Sequence, residues 1–183
     1  AATALTVENS ATLDLNGANQ SVASLAIAPG ASVHLNGGHL TITGSGGSAI
    51  VQGSLTGNGS LTNTGTLRLT GDALFDITGT FTNAGVLDVM TWNSALPVGF
   101  VNNGIVLDRS KVKVDTFEKS GNAFTLTITG YAGHNYQFQR SSDLSGAWEN
   151  IGTSVSGNNA PITFTDSPVI ALGSRFYRVM LNP

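Results

Sequence analysis

The chain of 183 residues has no cysteine and few charged residues. The missing thiols exclude disulfides, iron–sulfur clusters, thiolate zinc sites and cysteine nucleophiles. Only 10% of the residues are charged, whereas an average soluble domain has about 25%. The 8 Lys and Arg residues are scattered and the net charge is -3. The sequence therefore predicts no nucleic-acid partner, which would require a basic patch.

Long apolar runs are also absent, and no segment approaches the roughly 20 residues of a membrane-spanning helix. We therefore predict no membrane span. The first third of the chain lacks aromatic residues, since Phe75 is the first, and Glu8 and Asp14 are its only charges before Arg68. Leu, Val, Ile and Thr alternate there with polar residues, which is typical of strands and not of a disordered chain.

Glycine, by contrast, is abundant, with 23 residues, and it punctuates a repeat. The consecutive six-residue units SLTGNG, SLTNTG and TLRLTG occupy residues 54–71, and similar units follow a two-residue spacer. Three units and the spacer make a period of twenty residues, which also separates TLDLNG at 12–17 from SVHLNG at 32–37. Short strands at a fixed period of this length indicate a solenoid.

We therefore predict an all-β fold in which residues 1–110 form a parallel β-helix, right-handed by precedent, with about five coils of three strands. The register is ambiguous between residues 38 and 53. An antiparallel sandwich of hairpins is the alternative, and it explains the glycines but not the period. The positions expected to point inward are Leu13, Leu15, Val33, Leu35, Leu67, Leu69, Leu87 and Val89. Those expected to point outward in the same column are Asp14, His34, Arg68 and Asp88.

The pattern changes after Arg109, where five charged residues occur within nine positions and the period stops. Six short alternating segments follow, and glycine-, serine- and asparagine-rich turns separate them. This spacing predicts a small antiparallel β-sandwich over residues 111–183. We expect Tyr136, Phe138 and Trp148 in its core, and His134 in an exposed turn.

Two parts of the sequence resemble known families. GTLRLTG at 65–71 and ATLDLNG at 11–17 are similar to the autotransporter-associated β-helix repeats of large secreted bacterial proteins. YQFQRSSDLSGAWENIG at 136–152, with the later ITFTDS and RFYRVML, resembles a C-terminal sandwich module of secreted bacterial surface proteins and polysaccharide-degrading enzymes. The combination resembles a β-helical carbohydrate-binding module. The resemblance implies secretion and a covalently linked catalytic domain in the parent chain, but it supplies no binding site.

Catalytic patterns are missing from the sequence. β-Helices host polysaccharide lyases and hydrolases, which require clustered or paired carboxylates. Here the acids are single, and the nearest approach to a cluster is Asp72, Asp76 and Asp88. No nucleophile elbow, phosphate loop or His-Glu-x-x-His occurs, and His34 and His39 have no carboxylate near them in sequence. We predict no enzyme and no cofactor, with a structural calcium ion bound by turn carbonyls left open.

Sugar recognition uses an aromatic face flanked by a few polar groups. The candidates for such a site are Trp92, with Phe100, Asn102 and Asn103 close behind it, and Tyr131 in a glycine-bounded turn. Packing beneath the junction of the two domains is the alternative role for Trp92.

These observations together predict a non-catalytic carbohydrate-binding module of a secreted plant-polysaccharide-degrading enzyme. Its expected partner is a polysaccharide, a β-glycan such as xylan, because the surface is near-neutral and rich in hydroxyl and amide groups. The alternative is a structural or adhesive stalk segment of a bacterial surface protein, in which the solenoid is a spacer.

Overall fold

The structure is a computed structural model that describes residues 2–167 and 174–182. The chain divides into two compact units, Ala1–Arg109 and Ser110–Pro183. Strands of the first unit pair in parallel, as between Leu61 and Phe81, and strands of the second pair antiparallel, as between Thr125 and Thr165. The predicted all-β class, a parallel solenoid with antiparallel sheets after it, is confirmed.

The first unit, which we call the solenoid, has about five turns. Its strands are Thr3–Val7 (β1), Thr12–Asp14 (β2), Asn19–Ile27 (β3), Ser32–His34 (β4), His39–Ile42 (β5), Ala49–Val51 (β6), Ser54–Gly57 (β7), Ser60–Asn63 (β8), Thr66–Leu69 (β9), Leu74–Ile77 (β10), Phe81–Asn83 (β11), Val86–Asp88 (β12), Phe100–Asn102 (β13) and Ile105–Leu107 (β14). One turn of 3₁₀ helix, Arg109–Lys111, follows them.

These strands form three parallel stacks. The first stack is β2, β4, β7 and β10. The second contains the first half of β3, then β5, β8, β11 and β13. The third contains β1, the second half of β3, then β6, β9, β12 and β14. The long strand β3 therefore joins the second and third stacks.

The pairing register reproduces the sequence period. Leu61 pairs with Phe81 and Phe81 with Phe100, which are separations of 20 and 19 residues (81 − 61 and 100 − 81). In the segment whose register was ambiguous, β5 and β6 are joined by an exposed turn at residues 45–48. The insertion lies in this turn, so the strands around it stay in register.

The solenoid interior is aliphatic because alternate residues of each short strand point inward. Leu55, Leu61 and Leu67 are fully buried there. The positions expected to face inward are buried or, at Leu13 and Val89, partly buried against this core.

The outward column holds one exception. Asp88 was expected to face solvent, but it is 1% exposed, and its Oδ2 lies 2.8 Å from Nε of Arg68 in the preceding coil. The expectation for Asp88 is wrong because a cation directly below it in the stack covers the carboxylate.

A column of glycines lets successive coils approach closely at the corner between the second and third stacks. Its members are Gly44, Gly65, Gly85 and Gly104. A Cβ atom added at Gly85 would overlap the carbonyl oxygen of Gly65 in the coil below. The close backbone contact between coils therefore requires glycine at this corner.

The second unit, which we call the sandwich, contains two three-stranded antiparallel sheets. Its strands are Val114–Ser120 (β15), Ala123–Gly130 (β16), Asn135–Ser141 (β17), Glu149–Ser156 (β18), Ala160–Asp166 (β19) and Phe176–Asn182 (β20). One sheet has the order β15-β16-β19 and the other β18-β17-β20.

Side chains from both sheets of the sandwich pack against each other in one core. Leu126 and Phe164 come from one sheet, and Tyr136 and Phe138 from the other. Tyr136 and Phe138 are fully buried, as the sequence predicted. Phe138 stacks on Phe164 with ring centroids 5.1 Å apart, so aromatic contacts join the two sheets.

Candidate functional site

Trp92, the first residue predicted to bind a sugar, lies in the solenoid core. Its side chain is 5% exposed, and its indole N–H donates to the carbonyl of Ala73 at 2.9 Å. The ring packs edge-on against Phe75, with centroids 6.1 Å apart. Because neither ring face reaches solvent, the position corrects the expectation that Trp92 is a binding platform.

Phe100 and the two asparagines after it line the end of the second stack. Phe100 is partly buried and packs on Phe81, with ring centroids 5.0 Å apart. Asn102 accepts a hydrogen bond from Nδ2 of Asn83 at 2.8 Å. Asn103 is exposed in the following turn. Phe100 and Asn102 therefore take part in coil stacking, and of these residues only the asparagines are exposed.

Asn102 is the last member of an asparagine ladder that the sequence analysis did not predict. The buried side chain of Asn63 donates to Oδ1 of Asn83 at 2.8 Å, and Asn83 donates to Oδ1 of Asn102. The amides also bond to backbone at the corner, as from Asn63 Nδ2 to Val86 O at 3.0 Å. The signal for the ladder was present, because Asn-x-Gly recurs at residues 63, 83 and 102.

Tyr131 belongs to the sandwich and so to a different unit from the other predicted residues. It is partly buried, and its backbone N–H donates to the hydroxyl of Tyr136 at 2.9 Å. His134, in the same turn, is 3% exposed, so the expectation of an exposed histidine is wrong. This turn is tied to the sandwich core and does not present a free loop.

Trp148 lies on the outer face of the sheet β18-β17-β20, outside the sandwich core where it was expected. It is partly exposed, and the guanidinium of Arg178 lies 4.2 Å from its ring centroid. Trp148 and Ile151 are an odd number of residues apart, so they face opposite sides of an extended chain. Only Ile151 packs against the core.

Polar side chains extend from Trp148 across this outer face. Arg178 Nε donates to Oε1 of Gln139 at 2.8 Å, and Gln139 Nε2 donates to Oδ1 of Asn150 at 2.7 Å. We call Trp148, Arg178, Gln139 and Asn150 the tryptophan face. An aromatic ring followed by a guanidinium and two amides in fixed positions is the combination that stacks on a sugar and bonds its hydroxyls.

A small cleft of about 260 Å³ opens at the end of β17. Its lining residues are Arg140, Ser141, Ser142, Ala147, Glu149 and Arg175. The hydrogen bond to Glu149, with the nearby charge of Asp166, raises the pKa of Arg140 against the opposing effect of burial. Burial, helped by a hydrogen bond to Asp166, raises the pKa of Tyr177. Asp166 contributes to both shifts.

A second cavity, of about 370 Å³, lies at the first coil of the solenoid. Its walls include Leu5, Leu13, Leu15 and Val22, and Asp14 is the charged residue among them. No aromatic ring lines it, so it lacks the platform that sugar stacking needs.

The three acids that come nearest to a cluster in the sequence, Asp72, Asp76 and Asp88, differ in their surroundings. Asp72 and Asp76 are exposed, whereas Asp88 is buried against Arg68. His34 bonds to Thr56 through Nδ1 at 3.0 Å. Across residues 2–167 and 174–182, no three His, Asp or Glu side chains are grouped so that they could bind a metal ion. In the same residues, no helix is long and apolar enough to cross a membrane.

Comparison with family models, curated proteins and solved structures finds no match for this chain. The resemblance to autotransporter-type repeats and to carbohydrate-binding modules therefore stays a prediction from the sequence.

Proposed function

We propose that the chain is a non-catalytic carbohydrate-binding module that binds a β-glycan such as xylan. The observation that carries the proposal is the tryptophan face. There the guanidinium of Arg178 lies 4.2 Å from the centroid of a partly exposed indole, and hydrogen bonds join this guanidinium to the two amides. These bonds fix the side chains before a ligand arrives, which lowers the entropy cost of binding.

The charge of the molecule supports a neutral ligand. The net charge is -3 over 183 residues, and Arg178 is the charged member of the tryptophan face. A neutral glycan pairs with amide donors and acceptors without requiring a large surface potential. The sequence resemblance adds secretion, a bacterial source and a linked polysaccharide-degrading domain to the proposal.

Affinity electrophoresis against a panel of soluble polysaccharides tests the proposal. We expect retardation of the chain by a β-glycan, and about thirtyfold weaker binding for Trp148→Ala, because buried aromatic anchors carry most of the energy of an interface. Met180→Ala is the control, since Met180 is an exposed apolar side chain on β20, at 38%, and is not one of the four residues of the tryptophan face. Its binding should equal that of the wild-type chain.

If no polysaccharide retards the chain, the proposal is wrong and the alternative, a structural or adhesive stalk segment, is favoured. The observation behind that second candidate is the repeated stacking of asparagines and glycines along the solenoid, which suits a rigid spacer. New reducing ends or unsaturated products in the same mixtures would contradict the non-catalytic part of the proposal.

A further inference from the structure

The cleft at the end of β17 is built around a buried carboxylate. Asp166 is 3% exposed. Its Oδ1 lies 2.7 Å from Arg140 Nη1, and its Oδ2 lies 3.0 Å from Arg175 Nη1 and 3.1 Å from the Tyr177 hydroxyl. With both oxygens engaged, Asp166 positions the two guanidinium groups and does not itself meet a ligand.

Glu149 is the solvent-exposed hydrogen-bond acceptor of the cleft. Its side chain is 67% exposed, and Oε2 receives a hydrogen bond from Arg140 Nε at 3.1 Å. Arg140 therefore bridges a buried carboxylate and an exposed one. Ser142 is exposed beside them. The cleft thus presents a carboxylate acceptor, guanidinium donors and a hydroxyl within one small space.

The charges of the cleft favour a neutral ligand. Arg140 and Arg175 contribute two positive charges, and Asp166 and Glu149 contribute two negative ones. An anionic ligand would meet no net attraction and would have to displace Glu149 from Arg140. A pair of neighbouring sugar hydroxyls can instead donate to the carboxylate and accept from a guanidinium at the same time.

The size of the cleft limits the ligand to one sugar ring. Its volume of about 260 Å³ lies just below the roughly 300–1,000 Å³ of pockets that enclose drug-sized molecules. Trp148 lies in sequence between Ala147 and Glu149, which line the cleft, but adjacent side chains of an extended chain point to opposite sides, and Trp148 does not itself line the cleft. The cleft is therefore a second contact, separate from the tryptophan face.

We infer that this cleft is a subsite for one neutral pyranose, either a chain end or a single-sugar branch of the bound glycan. Glu149 accepts hydrogen bonds from two adjacent hydroxyls, and Arg140, Arg175 and Ser142 bond to the remaining oxygens. The inference rests on the proposed function, since it assigns a specificity-determining contact to the same carbohydrate-binding unit.

The test compares Glu149→Gln with Asp143→Asn, because Asp143 lies in the turn before β18 and does not line the cleft. Both changes remove one negative charge, so the variants have matched mobility in affinity electrophoresis. We expect about tenfold weaker glycan binding for Glu149→Gln, because hydrogen bonds to a charged acceptor are stronger than those to an amide. Asp143→Asn should bind like the wild-type chain, and Ser142→Ala should bind about threefold more weakly.

Competition with simple sugars identifies the ligand class. Neutral methyl pyranosides should relieve retardation of the wild-type chain but have less effect on Glu149→Gln. Equal binding by Glu149→Gln and Asp143→Asn, or competition by a methyl uronide alone, would overturn the subsite while leaving the module intact. A wild-type chain that no polysaccharide retards and no methyl pyranoside binds, by calorimetry, would overturn both proposals.

Discussion

In the solenoid, the same side chain recurs at the same position in successive coils, whereas in the sandwich each strand pair is joined by a different interaction. Asn63, Asn83 and Asn102 form one continuous ladder. In the sandwich, a stacked aromatic pair lies in the core and Asp166 bonds to three partners at one end. One repeated interaction thus stabilises the solenoid, whereas several different interactions stabilise the sandwich.

This difference explains why the candidate sites lie in the sandwich. A column of identical residues must satisfy its own neighbours above and below, so its polar groups are engaged in stacking. The outer face and end of the sandwich are free of that requirement, and they combine an indole, guanidinium groups, amides and a carboxylate. Two pairs of matched substitutions and one pH dependence test this contrast.

The largest effect is expected for Gly85→Ala in the solenoid. The new methyl group would overlap the carbonyl of Gly65, and the stacked backbones leave it no space. We expect the free energy of unfolding of the solenoid to fall by about 3 kcal/mol or more. Urea unfolding followed by tryptophan fluorescence measures this free energy. A Trp148→Phe background is used, because Trp92 in the solenoid is then the remaining tryptophan.

The matched change in the sandwich is Gly121→Ala. Gly121 has a φ of 59° and no atom within 4 Å of an added Cβ, so only the left-handed backbone conformation is penalised. A loss of about 1 kcal/mol is expected. Equal losses for Gly85→Ala and Gly121→Ala would contradict the close contact between coils.

The loss expected for Asn83→Ala, in the middle of the ladder, is smaller than that for Gly85→Ala. The change removes the Asn83 oxygen that accepts from Asn63 Nδ2, which keeps its bond to Val86 O, and it removes the donor to Asn102. We expect a loss of about 2–3 kcal/mol of solenoid stability, because a buried N–H group of Asn63 loses its acceptor. Asn102→Ala, at the exposed end of the ladder, should cost less than about 1 kcal/mol. Similar losses at both positions would mean that the amides do not act as a ladder.

The smallest effect is a loss of stability at alkaline pH, and it is expected in the sandwich alone. The pKa of Tyr177 is raised by burial and by Asp166, so the unfolded chain loses this proton first as the pH rises above about 10. Its contribution to stability is complete below that pH and is lost above it. The solenoid contains no tyrosine, so it lacks this dependence.

Urea unfolding of the sandwich between about pH 8 and about pH 11 measures the loss. Tyr177→Phe should make the decline shallower. A decline of unchanged slope in that variant would show that Tyr177 does not contribute to it.

Much of the fold was predictable because it depends on two regular signals, alternation and the twenty-residue period. The strands of residues 54–69 fall where the six-residue units placed them. The register of the strands around residues 45–48 was not predictable. The exposed turn there adds residues to the chain without adding a buried position, so it interrupts the period. Asp88 was misplaced because its burial depends on Arg68 in another coil.

The candidate site was much less predictable. Trp92 was selected for its position at the end of the regular period, but its burial depends on Phe75 in the preceding coil. Trp148 was assigned to the core although its odd spacing from Ile151 indicates opposite faces. The partners of the tryptophan face come from three strands or their ends, and no local sequence pattern connects them.

The separation of paired strands also affects the order in which the chain can fold. Each solenoid strand finds its partner about twenty residues away, as Leu61 does at Phe81, so a coil can close as soon as the next one has been synthesised. In the sandwich, Thr125 pairs with Thr165 and Gln139 with Arg178, separations of 40 and 39 residues. Tyr177 and Arg178 therefore join the sandwich only after the strand Phe176–Asn182 has been synthesised.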